Sequence, residues 1–210
     1  MKKNDIKKVL ELLYNTYPDA KCELNYNNAF QLIVSTILSA QATDKKVNEV
    51  TERVFKKYST VYDFAGLTGE ELEMEIKEIG LYKNKSKNIL SMSKALINEY
   101  NGEVPDQKDE LMKLSGVGPK TANVVLSNAY NVPAIAVDTH VFRVTNRIGL
   151  ASSSTVEKTE IQLMENIPEK QWTNAHHALI FHGRRTCIAR NPKCEICSVQ
   201  EYCDFYNEKK

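Results

Sequence analysis

No stretch of this 210-residue sequence is apolar for long enough to cross a bilayer. That argues against an integral membrane protein and for a soluble globular one. The opening residues, MKKNDIKKVLELL, are basic but lack an unbroken apolar core and a small-residue cleavage site. They read as an amphipathic helix rather than a signal peptide, which makes the cytoplasm the expected compartment. An excess of charge is also lacking. Twenty-eight basic residues face 27 acidic ones, for a net charge of +1. The bulk field therefore announces no nucleic-acid partner, and any such partner has to be met by a local patch. Internal repeats, low-complexity tracts and an obvious flexible linker are absent as well, and no run alternates apolar and polar residues with period two. A sheet has nothing to be built from.

What is present is helical spacing almost everywhere. Ile6, Val9, Leu10, Leu13 and Tyr17 form one stripe ending before Pro18. AFQLIVSTILSA (29–40) is apolar nearly all round and predicts a buried central helix. Thr43 suits the N-cap of the next helix, which runs through Val47, Val50 and Val54. Helices are expected around 70–79 and 85–100, with Gly80 as a C-terminal stop between them, then near 119–130, 139–148, 154–166 and 171–182. Leu111 and Leu114 carry a short helix before these last four. The fold class is all-α, with about ten helices. Two acid-free basic clusters are candidate anion patches: YKNKSKN (82–88) and HHALIFHGRRTCIARNPK (176–193).

The densest backbone punctuation is LSGVGPKTANVV (114–125). Gly116 and Gly118 tolerate positive φ, and Pro119 suits the first position of a helix, where its missing N–H is not needed. The expected product is a helix–hairpin–helix motif at about 107–130. In it, Gly116, Val117 and Gly118 present backbone N–H groups together with a helix N-terminus, and that concavity fits a nucleic-acid phosphate without reading sequence. An ordinary tight connection would look the same. Lys120 adds something to it. It falls in the first helical turn, where the macrodipole disfavours a positive charge, and burial there would favour a neutral, nucleophilic amine. The plainer role is a phosphate-contacting lysine.

AIAVDTHVFRVTNR places Asp138 after a short apolar segment and before a helix. A helix N-cap is the simplest role; a carboxylate that assists proton transfer or a developing cation is the functional one. Four of the five cysteines, Cys187, Cys194, Cys197 and Cys203, crowd into 17 residues with the spacing C-x6-C-x2-C-x5-C. Without a secretion signal they read as metal ligands rather than disulfides. Zinc is the generic occupant, but its sites usually have two C-x2-C pairs; the wider spacings here suit a [4Fe–4S] cube. Arg190 and Lys193 would project from the loop between the first two ligands as a phosphate clamp. Cys22 stands apart and reads as a packing thiol.

Together these segments resemble the endonuclease III family of bifunctional DNA glycosylases and abasic-site lyases. The likeness runs from ELNYNNAFQLIVSTILSAQATDKKVN through IGLYKNKSKNI, NGEVP, LSGVGPKTANVV and IAVDTHVFRVTNR to HGRRTCIARNPKCEIC, essentially the full length. The resemblance implies a six-helix domain at about 22–133 containing the hairpin, and a second domain combining 1–21 with 134–210 and carrying a [4Fe–4S] cluster. It implies Lys120 as the catalytic lysine and Asp138 as the catalytic aspartate, with Cys187, Cys194, Cys197 and Cys203 holding the cluster. Gln41, in SAQAT, resembles the residue that fills the gap left by an extruded base, and Leu81, in IGLYK, the wedge on the opposite strand. The implied partner is double-stranded DNA with damaged bases or abasic sites, bound by a monomer, nucleoid-associated if the host is bacterial. The implied activity is removal of oxidised pyrimidines and cleavage 3′ to the lesion. A mismatch-specific glycosylase and a non-catalytic, metal-stabilised DNA-binding module are the alternatives. One departure stands out: Pro119 occupies a position where the family usually has a basic residue.

Overall fold

The computed structural model describes residues 1–208. Twelve α-helices and three short 3-10 turns account for the regular structure among them, with no strand. The helices are α1 (Lys3–Thr16), α2 (Ala29–Ser39), α3 (Asp44–Lys57), α4 (Val61–Ala65), α5 (Gly69–Ile76), α6 (Tyr82–Tyr100), α7 (Lys108–Leu111), α8 (Pro119–Ala129), α9 (Thr139–Ile148), α10 (Val156–Asn166), α11 (Trp172–Arg185) and α12 (Asp204–Asn207). The excess over the expected number lies in one-turn helices such as α4 and α12, which are too short to show a periodicity. The chain divides into two compact units, Met1–Cys22 with Pro133–Lys210, and Glu23–Val132.

Within Glu23–Val132, α2 is the central element. Nine of its 11 residues are buried, and α3, α6 and α8 pack around it. Asn28 caps it by accepting from the Gln31 N–H at 2.9 Å. Phe64 of α4 is fully buried and meets Phe30 edge-on at 5.3 Å between centroids. Threonines start three of the other helices. Thr43 caps α3, as its position predicts, and Thr60 and Thr68 form reciprocal capping boxes with Asp63 and Glu71.

Gly80 does not act as the expected stop. α5 ends at Ile76, and it is Leu81, not Gly80, that takes the left-handed conformation before α6 (φ 60°, ψ 27°). The reason is local. Ile79 is buried and its N–H returns to Ile76 O, while Glu78 is held by Arg53 at 2.8 Å and by Lys46. With 76–79 pinned, the reversal falls on the residue that follows Gly80.

In the other unit, the predicted stripe of α1 is buried as a set and packs on α11. Each such side chain contributes roughly 1.5–3 kcal/mol. Tyr17 closes the stripe, its hydroxyl bonded to His182 Nδ1 (3.0 Å) and Thr186 Oγ1 (2.7 Å). Helices α9 and α11 approach closely at Gly183, where an added Cβ would lie 2.9 Å from His140 Cβ and 3.1 Å from Val144 Cγ2.

Candidate nucleic-acid interface and metal centre

The hairpin is made by 112–118, between α7 and α8. Of its two glycines only Gly116 uses positive φ (81°), and a Cβ there would meet Asn88 Cβ of α6 at 3.0 Å. Gly118 is extended, with open space where a Cβ would stand, and serves as the N-cap of α8 without a side-chain cap. Val117 differs from both neighbours. Its side chain is buried and its N–H donates to Leu114 O at 3.1 Å, so it anchors the turn from inside. The amides of Gly116, Gly118, Lys120 and Thr121 enter no hydrogen bond with the described residues. Pro119 at the first helical position supplies no N–H. The result is an open set of donors at the positive end of α8, which suits an anion.

Lys120 sits at the second position of α8 and is exposed. The burial invoked from sequence is therefore not provided by this chain's own fold, and the helix terminus is the feature that remains.

Gln41 and Leu81 lie on two other turns of the same unit, and both are exposed. Both also have left-handed backbones, φ 57° and 60°. Glycine, or failing it asparagine, usually fills such positions. Helix α6 ties these turns to the hairpin. Leu81 precedes its first residue, Lys85 reaches the end of α2, and Ser91 Oγ lies 2.9 Å from Ser115 Oγ in the hairpin. Lys85 itself corrects the sequence reading. Its place in sequence between Lys83 and Lys87 suggests an anion patch, but it is buried, its Nζ donating to the carbonyls of Leu38 and Ala40. Desolvation lowers its pKa. Lys83 and Lys87 are exposed.

Asp138 begins α9. Its Oδ1 accepts from the N–H groups of His140 (2.9 Å) and Val141 (2.8 Å), so the N-cap role is real. Oδ2 makes no hydrogen bond with the described residues. From the same helix, Arg143 and Arg147 reach the cysteine loop. Arg143 donates to Cys187 O and Gly183 O, and Arg147 to Ile188 O (2.9 Å) and Ala189 O (3.0 Å). The Arg147 guanidinium also lies 4.7 Å from the Phe205 ring centroid. Sequence reasoning passed over both arginines; their i,i+4 spacing on one face of α9 was the available signal.

Cys187, Cys194, Cys197 and Cys203 line one cavity with Ile148, His182, Thr186, Pro192, Lys193 and Phe205. Among the described residues, no three His, Cys, Asp or Glu side chains converge as they would on a single metal ion. Four thiols spread around a common space fit a multi-iron cube better than one zinc. Burial pushes the Cys197 thiol up to about 11 and raises that of Cys203, so thiolates here call for a cationic occupant. Arg190 and Lys193 are exposed on the loop, as expected. The histidines of the second basic cluster do not belong to a surface patch. His176, His177 and His182 are buried, desolvation pushing the last two down to about 4, whereas Arg184 and Arg185 are exposed, Arg185 pairing with Asp19 at 2.9 Å.

Comparison with known proteins agrees with this geometry. Residues 34–169 match the HhH-GPD superfamily of base excision DNA repair proteins, and residues 187–203 match the iron-sulfur binding domain of endonuclease III. Endonuclease III of Bacillus subtilis (strain 168) is 49% identical over 195 residues, covering 92% of this chain and 89% of that protein. The Rickettsia conorii protein of the same name is 49% identical over 201 residues and covers 96% of each. A solved trapped endonuclease III–DNA covalent intermediate superposes with a TM-score of 0.95 at 47% identity, over 100% of this chain and 99% of that one. The chain belongs to the endonuclease III family, the [4Fe–4S]-carrying DNA glycosylases and abasic-site lyases of base-excision repair.

Proposed function

We propose that this protein removes oxidised pyrimidines from duplex DNA through Lys120 and then cleaves the strand 3′ to the abasic site. Lys120 carries the reading. It is an exposed primary amine on the first turn of α8, directly after a hairpin whose amides are free to hold a phosphate. A primary amine beside a backbone grip supports its assignment as the nucleophile. The target nucleotide has to leave the stack, which costs a few kcal/mol and less for a damaged base. Gln41, exposed on its turn, is the side chain assigned to the space it vacates, and Leu81, exposed on another, is the wedge assigned to the opposite strand.

The Lys120 amine, in its neutral form, attacks C1′ of the deoxyribose. The C1′–N bond to the base breaks, and the base leaves with its electron pair. Opening of the sugar gives an imine between Nζ and C1′. Loss of a C2′ proton to a base then drives β-elimination, and the C3′–O bond breaks with the 3′ phosphate as leaving group. Among side chains only a primary amine forms this imine. Asp138 is the carboxylate assigned to proton transfer and to support of the cationic sugar, through the oxygen its cap leaves free. Cys187, Cys194, Cys197 and Cys203 are the ligands assigned to the cluster. When bound it supplies cross-linking of the loop that carries Arg190 and Lys193 towards phosphate. The division into two compact units supports a two-domain reading, and the working form is a cytoplasmic monomer.

Borohydride reduction in the presence of abasic-site DNA tests the nucleophile. Wild type should give a trapped covalent complex, and Lys120→Ala should give none while still binding the duplex. A wild-type protein that forms no trapped complex would overturn the proposal.

A further inference from the structure

Gln41 and Leu81 hold backbone conformations that L side chains rarely adopt, so their surroundings must impose them. One residue reaches both turns. Lys85 is 4% exposed. Its Nζ donates to Leu38 O at 2.9 Å and to Ala40 O at 2.6 Å, at the C-terminal end of α2 and immediately before Gln41. Its backbone N–H donates to Leu81 O at 3.1 Å and closes the first turn of α6. Both side-chain bonds go to carbonyl oxygens, and no ion pair joins Lys85 to a carboxylate among the described residues. An ammonium is costly to bury, and fold packing alone would be served by an apolar side chain of similar length. The negative end of the α2 dipole and two fixed carbonyls offset that cost, and they do so only while the two turns stay in register.

We propose that Lys85 is a positioning residue for nucleotide extrusion: it locks the Gln41 turn to the start of α6, so that Gln41 and Leu81 meet the duplex as one preformed unit. The proposal rests on the reading that these two side chains enter the duplex. Extrusion is the step in which both must displace stacked bases together, and ordering them in advance removes that cost from the barrier. Cleavage at a site that has already lost its base depends on it far less, because little stacking remains to be broken.

The test compares wild type, Lys85→Met and Lys85→Gln on two substrates in single-turnover experiments with holoenzyme. One duplex carries thymine glycol with 2-aminopurine beside it, and fluorescence reports extrusion. The other carries a preformed abasic site, and strand cleavage reports the lyase step. Lys85→Met should slow extrusion at least tenfold and leave abasic-site cleavage within about threefold of wild type. Lys85→Gln, which keeps an N–H donor, should restore part of the extrusion rate. If the methionine variant does not fold, the ratio of the two rates in Lys85→Gln decides in its place. Extrusion within about twofold of wild type, or an equal fall in both rates, would overturn the proposal. Gln41→Ala and Leu81→Ala are measured alongside. If neither slows extrusion, the underlying reading of those side chains fails. If they slow it and Lys85→Met does not, the positioning role alone fails. In a Gln41→Ala/Leu81→Ala background the Lys85→Met effect should shrink to near unity; an undiminished effect would mark a general packing role instead.

Discussion

Asp138 spends one carboxylate oxygen on the start of α9 and keeps the other. The two functions can be separated because asparagine caps helices about as well as aspartate, whereas alanine does not. Asp138→Asn should hold stability within about 0.5 kcal/mol of wild type in urea unfolding. Asp138→Ala should lose about 1 kcal/mol from the missing cap. Both should slow single-turnover base excision by about a hundredfold or more, the usual scale of acid–base assistance. Equal activity of Asp138→Asn and wild type would reduce Asp138 to a cap. Lys120 has no comparable double role. Its side chain is exposed and makes no hydrogen bond or ion pair with the described residues, so its alanine variant should unfold like wild type while losing the covalent complex.

Helix α9 joins two chemically different places. Its first turn is fixed by Asp138, and its third supplies Arg147 to the carbonyls of the cysteine loop. Its position against α11 depends on the bare Cα of Gly183. Gly183→Ala should force the helices apart and destabilise the protein by about 1–3 kcal/mol, read from denaturant midpoints. Iron retention should fall with it, read from visible absorbance, because Arg143 and Arg147 would lose their carbonyls. Much of this element-level structure could be read from the residues. The α1 stripe, the apolar α2 and the Thr43 cap each follow from spacing and side-chain chemistry within a few residues. Lys85 and Leu81 could not be read so. Lys85 looks like its exposed neighbours because burial of a lysine is decided by α2, which lies 45 residues earlier. Leu81 adopts its conformation because Ile79 and Glu78 are pinned, while local propensity points to Gly80. The histidines of α11 misled for the same reason, since a buried and a solvated imidazole are identical in sequence.

At the scale of the whole molecule, those histidines make stability depend on pH. His177 and His182 are pushed down to about 4 from the ordinary 6.5. Between those values the unfolded chain takes up protons that the folded one refuses. The stability they contribute is therefore complete above about pH 6.5 and is lost as pH falls towards 4, on the order of 3 kcal/mol for each. His177→Gln should shrink the difference between unfolding free energies at pH 7 and pH 4.5, whatever its effect at neutral pH. An unchanged difference would remove His177 from the account.

One unit of the molecule is made from both ends of the chain, and this sets an order of assembly. Residues 23–132 form a continuous unit that can close on itself while synthesis proceeds. Helix α1 cannot. Its apolar stripe packs on α11, and the Tyr17 hydroxyl that ends the stripe finds His182 only 165 residues later. Until then the stripe has no home surface. The lysines on its outer face and the one glutamate, paired as Lys7–Glu11 and Lys8–Glu11, then serve as a solubilising coat for a waiting segment. The N-terminal helix is thus made early and buried last, and refolding should show its docking as the slowest phase of that unit.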